Sequence, residues 1–199
     1  MEEVSKFWDN IHKNRLIEYL GDGDFTVATR GFNRTPDFLD NYKNSQAYLD
    51  IGPGFGHAIL QSDAKVKGVA DISLAAIQNI QGKDSNIEGF LISDLPPNDK
   101  YDLITCISVV QHCNKEALKN VIGFAYEALA PNGTLYIEGV CLNDGSDRGH
   151  DDVNTHSGSH MWNSEDILKM WDGKCTYNQF DLLNEEVGVW WLGLEKAQQ

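Results

Sequence analysis

Basic side chains are scarce in this chain: 16 lysines and arginines stand against 30 aspartates and glutamates, a formal net charge of −14. A surface with that field repels a phosphate backbone, which argues against nucleic-acid binding and favours neutral or cationic small partners. Cysteine is also sparse, and Cys106, Cys113, Cys141 and Cys175 never form a C-x-x-C pair. Reduced, mostly buried thiols are therefore expected rather than disulfides or metal ligands. No apolar run approaches the roughly 18 residues needed to cross a bilayer, so no membrane span is expected. The opening "MEEVSKFWDN" is acidic and polar, unlike a secretory signal, and cytoplasmic residence is the default expectation. There is no internal repeat, low-complexity tract or linker. What remains is 199 residues with 41% hydrophobic and 23% charged side chains, the composition and length of one soluble globular domain spanning 1–199.

Residues 1–45 read as a helical N-terminal extension. In "SKFWDNIHKNRLIEYLG", Phe7, Ile11, Leu16, Ile17 and Leu20 fall near helical spacing, with Ser5 as a candidate cap. From Gln46 onward, strand-like and helix-like segments alternate. "AYLDI" (47–51), "KVKGVAD" (65–71), "IEGFLIS" (87–93), "YDLITCISVV" (101–110) and "TLYIEGV" (134–140) predict five strands. "FGHAILQSD", "SLAAIQNIQG" and "NKEALKNVIGFAYEALA" predict the helices between them, with Ser73 and Asn114 as caps. Strands alternating with crossover helices mean a parallel sheet with right-handed connections. "CTYNQFDLL" (175–183) and "VGVWWLGLEKA" (187–197) break the rule, because only "NEE" separates them. No crossover helix fits, so these two strands pair antiparallel. The expected fold is a doubly wound, seven-stranded, mostly parallel α/β sheet over 46–199, closed by an antiparallel C-terminal hairpin.

The first strand runs into "DIGPGFG", Asp50 to Gly56, with glycine at every second position from Gly52. Glycine accepts positive φ and lets main chain lie against a ligand. Three glycines in the first βα turn of such a sheet place a ligand at the carboxyl ends of the strands. A dinucleotide fingerprint would need its third glycine at position 57, which is His57. A nicotinamide oxidoreductase is disfavoured on that ground.

Taken together, "LDIGPGFG", "GVADIS", "ISDLP", "YDLITCISVVQH", "LAPNGTLYIEG" and the final hairpin resemble the class I S-adenosylmethionine-dependent methyltransferase family, over roughly Gln46 to Lys196. The resemblance implies S-adenosylmethionine as cofactor. It implies that the loop Gly52, Pro53, Gly54, Phe55 and Gly56 carries the amino-acid end, with Asp50 facing the ammonium or capping the loop amides. Asp71, 15 residues past Gly56, would accept from the ribose hydroxyls, with a helix cap as the alternative role. Ile72 would lie against the adenine. Asp94 would accept from the adenine amino group beside the Leu95 amide, or else form an Asx turn before Pro96.

On the acceptor side, His112, accompanied by Ser108 and Gln111, would pack over the cofactor, contact substrate, act as a general base or be structural. Phe7 and Trp8 are candidates for a lid, or plain core. Arg30 or Arg34 would pair with the methionine carboxylate or a substrate anion, or stay exposed. The polar stretch 143–162, with His150, Asp151, Asp152, His156 and His160, reads as a substrate loop or, less readily, a divalent-metal site. The expected activity is methyl transfer to an oxygen or nitrogen of a small-molecule acceptor. The alternatives are a noncatalytic cofactor-binding module and a protein methyltransferase.

Overall fold

Alternation along the strands sorts the apolar side chains onto two faces of one sheet. The computed structural model describes residues 2–14, 38–142, 162–182 and 187–197. Its strands are β1 (Ala47–Ile51), β2 (Val66–Asp71), β3 (Glu88–Leu91), β4 (Tyr101–Cys106), β5 (Leu129–Leu142), β6 (Gly173–Leu182) and β7 (Val187–Lys196). They form a single sheet in the order β3-β2-β1-β4-β5-β7-β6. The first five pair parallel, and β7 pairs antiparallel with both β5 and β6. This is the seven-stranded, mostly parallel, doubly wound arrangement with a closing hairpin that the sequence predicts.

Helices cover both faces: α1 (Glu2–Asn14), α2 (Phe38–Asn44), α3 (His57–Gln61), α4 (Leu74–Gln81), α5 (Lys115–Ala128) and α6 (Ser164–Met170). Leu49, Ile104, Ile137 and Trp190 pack with the apolar stripe of α5, which includes Leu118, Val121, Ile122 and Ala125. Their strand neighbours Tyr48, Leu103, Tyr136 and Trp191 point the other way, toward Phe38 and Tyr42 of α2 and Ile77 and Ile80 of α4. One residue of register shift would exchange these two sets. The caps follow expectation. The Ser73 hydroxyl accepts from the Ala76 N–H at 3.2 Å, and the Asn114 side chain accepts from the Ala117 N–H at 2.9 Å. At α6 the cap is Asn163, which accepts from the Asp166 N–H.

Several boundaries differ from the sequence reading, among them the end of β3 at Leu91 rather than Ser93, and three differences have a local reason. β4 stops at Cys106 rather than Val110, because Ser108 takes φ 57° and cannot continue a strand. β5 starts at Leu129 rather than Thr134, with an irregular register against β4 and Asn132 at φ 64°. Ser5 lies inside α1 instead of capping it, and its hydroxyl donates to the Ile72 carbonyl at 3.0 Å. All four cysteines are free thiols, with Cys175 exposed and the other three buried. No helix among the described residues is long and apolar enough to cross a membrane. Arg30, Arg34 and most of the stretch 143–162 lie outside the described residues.

The indole of Trp190 is 1% exposed, donates to the Trp162 carbonyl at 2.5 Å and packs over Gly139. Trp190→Ala is expected to cost about 3–5 kcal/mol of folding stability, read as a lower urea midpoint. An unchanged midpoint would show that the hairpin does not depend on this residue.

Candidate functional site

The chain leaves β1 through a left-handed turn. Gly52, Gly54 and Gly56 have φ of 65°, 56° and 83°, a region that side-chain-bearing residues avoid. At Gly52 a Cβ would also stand 2.2 Å from Val109 Cγ2. At Gly54 nothing lies within 4 Å of that position, so its main chain borders open space. The turn is tied down by the Gly52 N–H to the Ala70 carbonyl and the Gly56 N–H to the Pro53 carbonyl, both at 2.8 Å. Above it lies a cavity of about 740 Å³ at the carboxyl ends of the parallel strands, where ligands bind in open α/β sheets. Its volume is within the range of about 300–1,000 Å³ typical of small-molecule sites.

Two buried carboxylates form the floor. Asp50, 5% exposed, is in register with Thr105 of β4, and the Thr105 hydroxyl donates to Asp50 Oδ1 at 2.7 Å. The Tyr48 hydroxyl lies 2.7 Å from the same Thr105 oxygen; since the Thr105 proton goes to Asp50, Tyr48 is the donor. Burial pushes the Asp50 carboxyl up to about 7, with the Thr105 bond opposing it. Asp71, at the end of β2, accepts from the Ser73 N–H at 2.8 Å. Burial pushes it up to about 6, against the N–H groups of Ser73 and Ile72. Asp71 is not the cap of α4, which is Ser73; it accepts from the Ser73 N–H and faces the cavity.

The other walls come from distant parts of the chain. Trp8 of α1 meets the His112 ring edge-on, with centroids 5.1 Å apart, and His12 stands against Phe55 at 5.4 Å. Asp9 fastens α1 to the start of α4, accepting from the Ser73 hydroxyl at 2.6 Å and the Ala75 N–H at 3.1 Å. Asn79 of α4 donates to the His12 carbonyl at 2.9 Å. His112 closes the 3₁₀ turn Val110–His112 that follows β4.

Of the residues singled out in the sequence, Asp50, Gly52, Pro53, Gly54 and Phe55 line the cavity together. Asp71, Ile72, Ser108 and His112 join them from β2 and the segment after β4. Gly56 sits behind the lining, against Ile80 and Leu60. Asp94 and Leu95 stand outside it. The Asp94 carboxylate accepts from the Leu91 N–H at 3.4 Å, and Leu95 is 92% exposed; Leu91, Ile92 and Ser93 line that wall instead. The chain turns immediately after β3, before Asp94 can reach inward. Of the candidate lid pair, Trp8 lines the cavity and Phe7 does not.

Sequence reasoning missed Ser5, His12, Ser93 and Glu138. Glu138 had a legible signal, as the lone charge within "TLYIEGV". His12 follows Trp8 by four residues, one helical turn, and so shares its face.

A family model described as a methyltransferase domain matches residues 25–174 of the sequence. A search of curated protein sequences gives no match. Solved structures share the fold at low identity. The 1,6-didemethyltoxoflavin-N1-methyltransferase of Burkholderia thailandensis, bound to 1,6-didemethyltoxoflavin and S-adenosylhomocysteine, has a TM-score of 0.70 at 12% identity, over 98% of this chain and 88% of that one. A SAM-dependent methyltransferase from Leishmania major gives 0.69 at 12%, over 98% and 82%. A putative methyltransferase of Haloferax volcanii, in complex with the Trm112 methyltransferase activator, gives 0.68 at 12%, over 97% and 99%.

Both floor carboxyls have pKa values raised above the ordinary 3.8. The stability they contribute when protonated is fully present below about pH 4 and is lost as pH rises through their folded values. In the ligand-free protein, Asp50→Asn and Asp71→Asn are each expected to flatten the fall in stability between about pH 4 and about pH 7.5. Urea denaturation across that range measures it, and a slope identical to wild type in both variants would contradict the assignment.

Proposed function

The chain belongs to the methyltransferase-domain family with S-adenosylmethionine as cofactor, and from that premise we propose that it methylates an oxygen or nitrogen of a small-molecule acceptor held in the same cavity. The observation that carries this reading is the meeting of the left-handed glycine turn after β1 and the buried Asp71 carboxylate after β2 on one cavity of about 740 Å³.

The residues present fit the cofactor. Open space over Gly54, where a side chain would stand, suits close approach of an amino-acid end to bare main chain. Asp50 supplies a buried acceptor for an ammonium. Asp71 has acceptor capacity left after its Ser73 bond, which suits ribose hydroxyls. Ile72, half-buried on the same wall, offers an apolar surface to a purine.

When bound, the cofactor would supply an activated methyl group on a sulfonium, with the Gly52–Gly56 turn, Asp50 and Asp71 as the residues that would hold it. The leaving group is already activated, so the protein's work is alignment and exclusion of water. Trp8, Phe55, Ile107 and Val109 provide the apolar walls for that. His112, half-buried beside Trp8, serves as the proton acceptor for a nucleophile that must lose a proton. Helix α1 acts as a lid, a role supported by the Ser5, Asp9 and His12 contacts to Ile72, Ser73 and Asn79; the rest of the segment 1–45 expected to form the lid lies largely outside the described residues. A cavity of this size, closed on one side by α1, favours a compact acceptor over a protein side chain. The acidic surface disfavours nucleic acid.

Calorimetry with S-adenosylmethionine, S-adenosylhomocysteine and NAD tests the premise; tight NAD binding with no response to the other two would defeat it. Asp71→Ala is expected to weaken S-adenosylhomocysteine binding by roughly 1–3 kcal/mol, and unchanged affinity would remove its ribose role. His112→Ala is expected to slow methyl transfer by about 10²-fold or more while leaving S-adenosylhomocysteine affinity alone. Unaltered kinetics would take His112 out of the chemistry. Cofactor binding with no transfer across a broad acceptor panel would favour a noncatalytic module.

A further inference from the structure

Glu138 stands on β5, two strands from the glycine turn on β1, and its carboxylate lines the same cavity. The Trp191 indole N–H donates to Oε2 at 2.6 Å, and the Ser108 hydroxyl donates to Oε1 at 2.8 Å. One donor comes from the neighbouring strand β7 and the other from the segment after β4. Together they fix the orientation of the carboxylate, yet both are neutral. A carboxylate accepts at about four lone-pair positions, so each oxygen retains capacity. Among the described residues no lysine or arginine pairs with Glu138, and none lines the cavity. Ser108 holds its place at φ 57°, a left-handed conformation that a serine adopts against its preference.

A second acceptor faces the same space. Gln111 Oε1 is buried and has no hydrogen-bond partner among the described residues. A buried acceptor left unmade is costly, and a ligand donor relieves that cost. Among the described residues, the charged groups of the lining are the carboxylates Asp50, Asp71 and Glu138 and the imidazoles of His12, His57 and His112. With Asp50 and Asp71 taken up by the cofactor, Glu138 is the carboxylate left for the acceptor, and an anionic acceptor would be repelled by it. A cationic one with N–H donors matches both Glu138 and Gln111.

We propose that the β4–β5 end of the cavity selects a methyl acceptor carrying a protonated amine, which Glu138 holds as an anchor while a different oxygen or nitrogen of that molecule receives the methyl group. The inference rests on the methyltransferase reading and deepens it by naming the substrate class. A protonated amine has no lone pair, so it serves as a handle and not as the nucleophile.

Matched pairs of probes test it on the full chain saturated with S-adenosylhomocysteine: tyramine against 4-hydroxyphenylacetate, dopamine against 3,4-dihydroxyphenylacetate, and histamine against imidazole-4-acetate. Calorimetry is expected to show each amine binding at least about tenfold more tightly than its acid. Glu138→Gln is expected to abolish that preference with S-adenosylhomocysteine affinity and urea midpoint unchanged. The amide preserves the local bonds, its oxygen accepting from Trp191 and its N–H₂ donating to Ser108. Acids binding as tightly as amines, neither member of any pair binding, or a preference surviving in Glu138→Gln would each overturn the proposal alone. Failure of wild type to bind S-adenosylhomocysteine would instead bring down the methyltransferase reading and this proposal with it.

Discussion

A hydrogen bond from the Thr105 hydroxyl to the Asp50 carboxylate joins β4 to β1 at the point where the strand order reverses. From β1 the chain winds outward through β2 and β3, then returns to place β4 on the opposite side. The loops leaving β1 and β4 therefore diverge, and the cavity is the space between them. Tyr48 extends the bond into the interior, so the carboxylate that faces the cavity is anchored by two strands. Everything else in the site is arranged around that split: the left-handed glycine turn on one side, Ser108 and His112 on the other.

The electrostatics of the cavity are one-sided by construction. Among the described residues Asp50 and Asp71 are buried without a cationic partner, and burial raises both carboxyl pKa values. Leaving carboxylates in such positions costs folding stability, and under the proposed function an ammonium and sugar hydroxyls would supply the missing interactions. Glu138 extends the pattern to the far end of the space, where its donors among the described residues, Ser108 and Trp191, are both neutral.

The N-terminal helix belongs to the site as much as the sheet does. Asp9 satisfies the hydroxyl of Ser73 and the N–H of Ala75 at the start of α4, and Ser73 itself is hydrogen-bonded to Asp71 through its backbone. A short chain of bonds therefore runs from α1 to the carboxylate assigned to the ribose. Trp8 and His12 hang from the same helix over Phe55 and His112. Trp8 and His12 are far in sequence from the loop they cover, so the alignment of this wall depends on the packing of α1 against α4.

Local pattern was enough for the strands, their crossover helices and the closing hairpin. Period-two alternation, runs of apolar residues and a three-residue "NEE" gap imply a parallel sheet with right-handed crossovers and an antiparallel last pair, while the strand order is a tertiary outcome. The glycine spacing and the strand-end aspartates mark Asp50 to Phe55 and Asp71 in the sequence, because positive φ and strand ends are written in single residues. Tertiary structure alone decided what is formed by segments that are far apart. It turned Asp94 away, since β3 ends early and the chain bends before that side chain can reach the cavity. It brought in Ser5, Trp8 and His12, whose place depends on how α1 docks. It drew Glu138 together with Ser108 and Trp191, a meeting of three elements that no local pattern encodes.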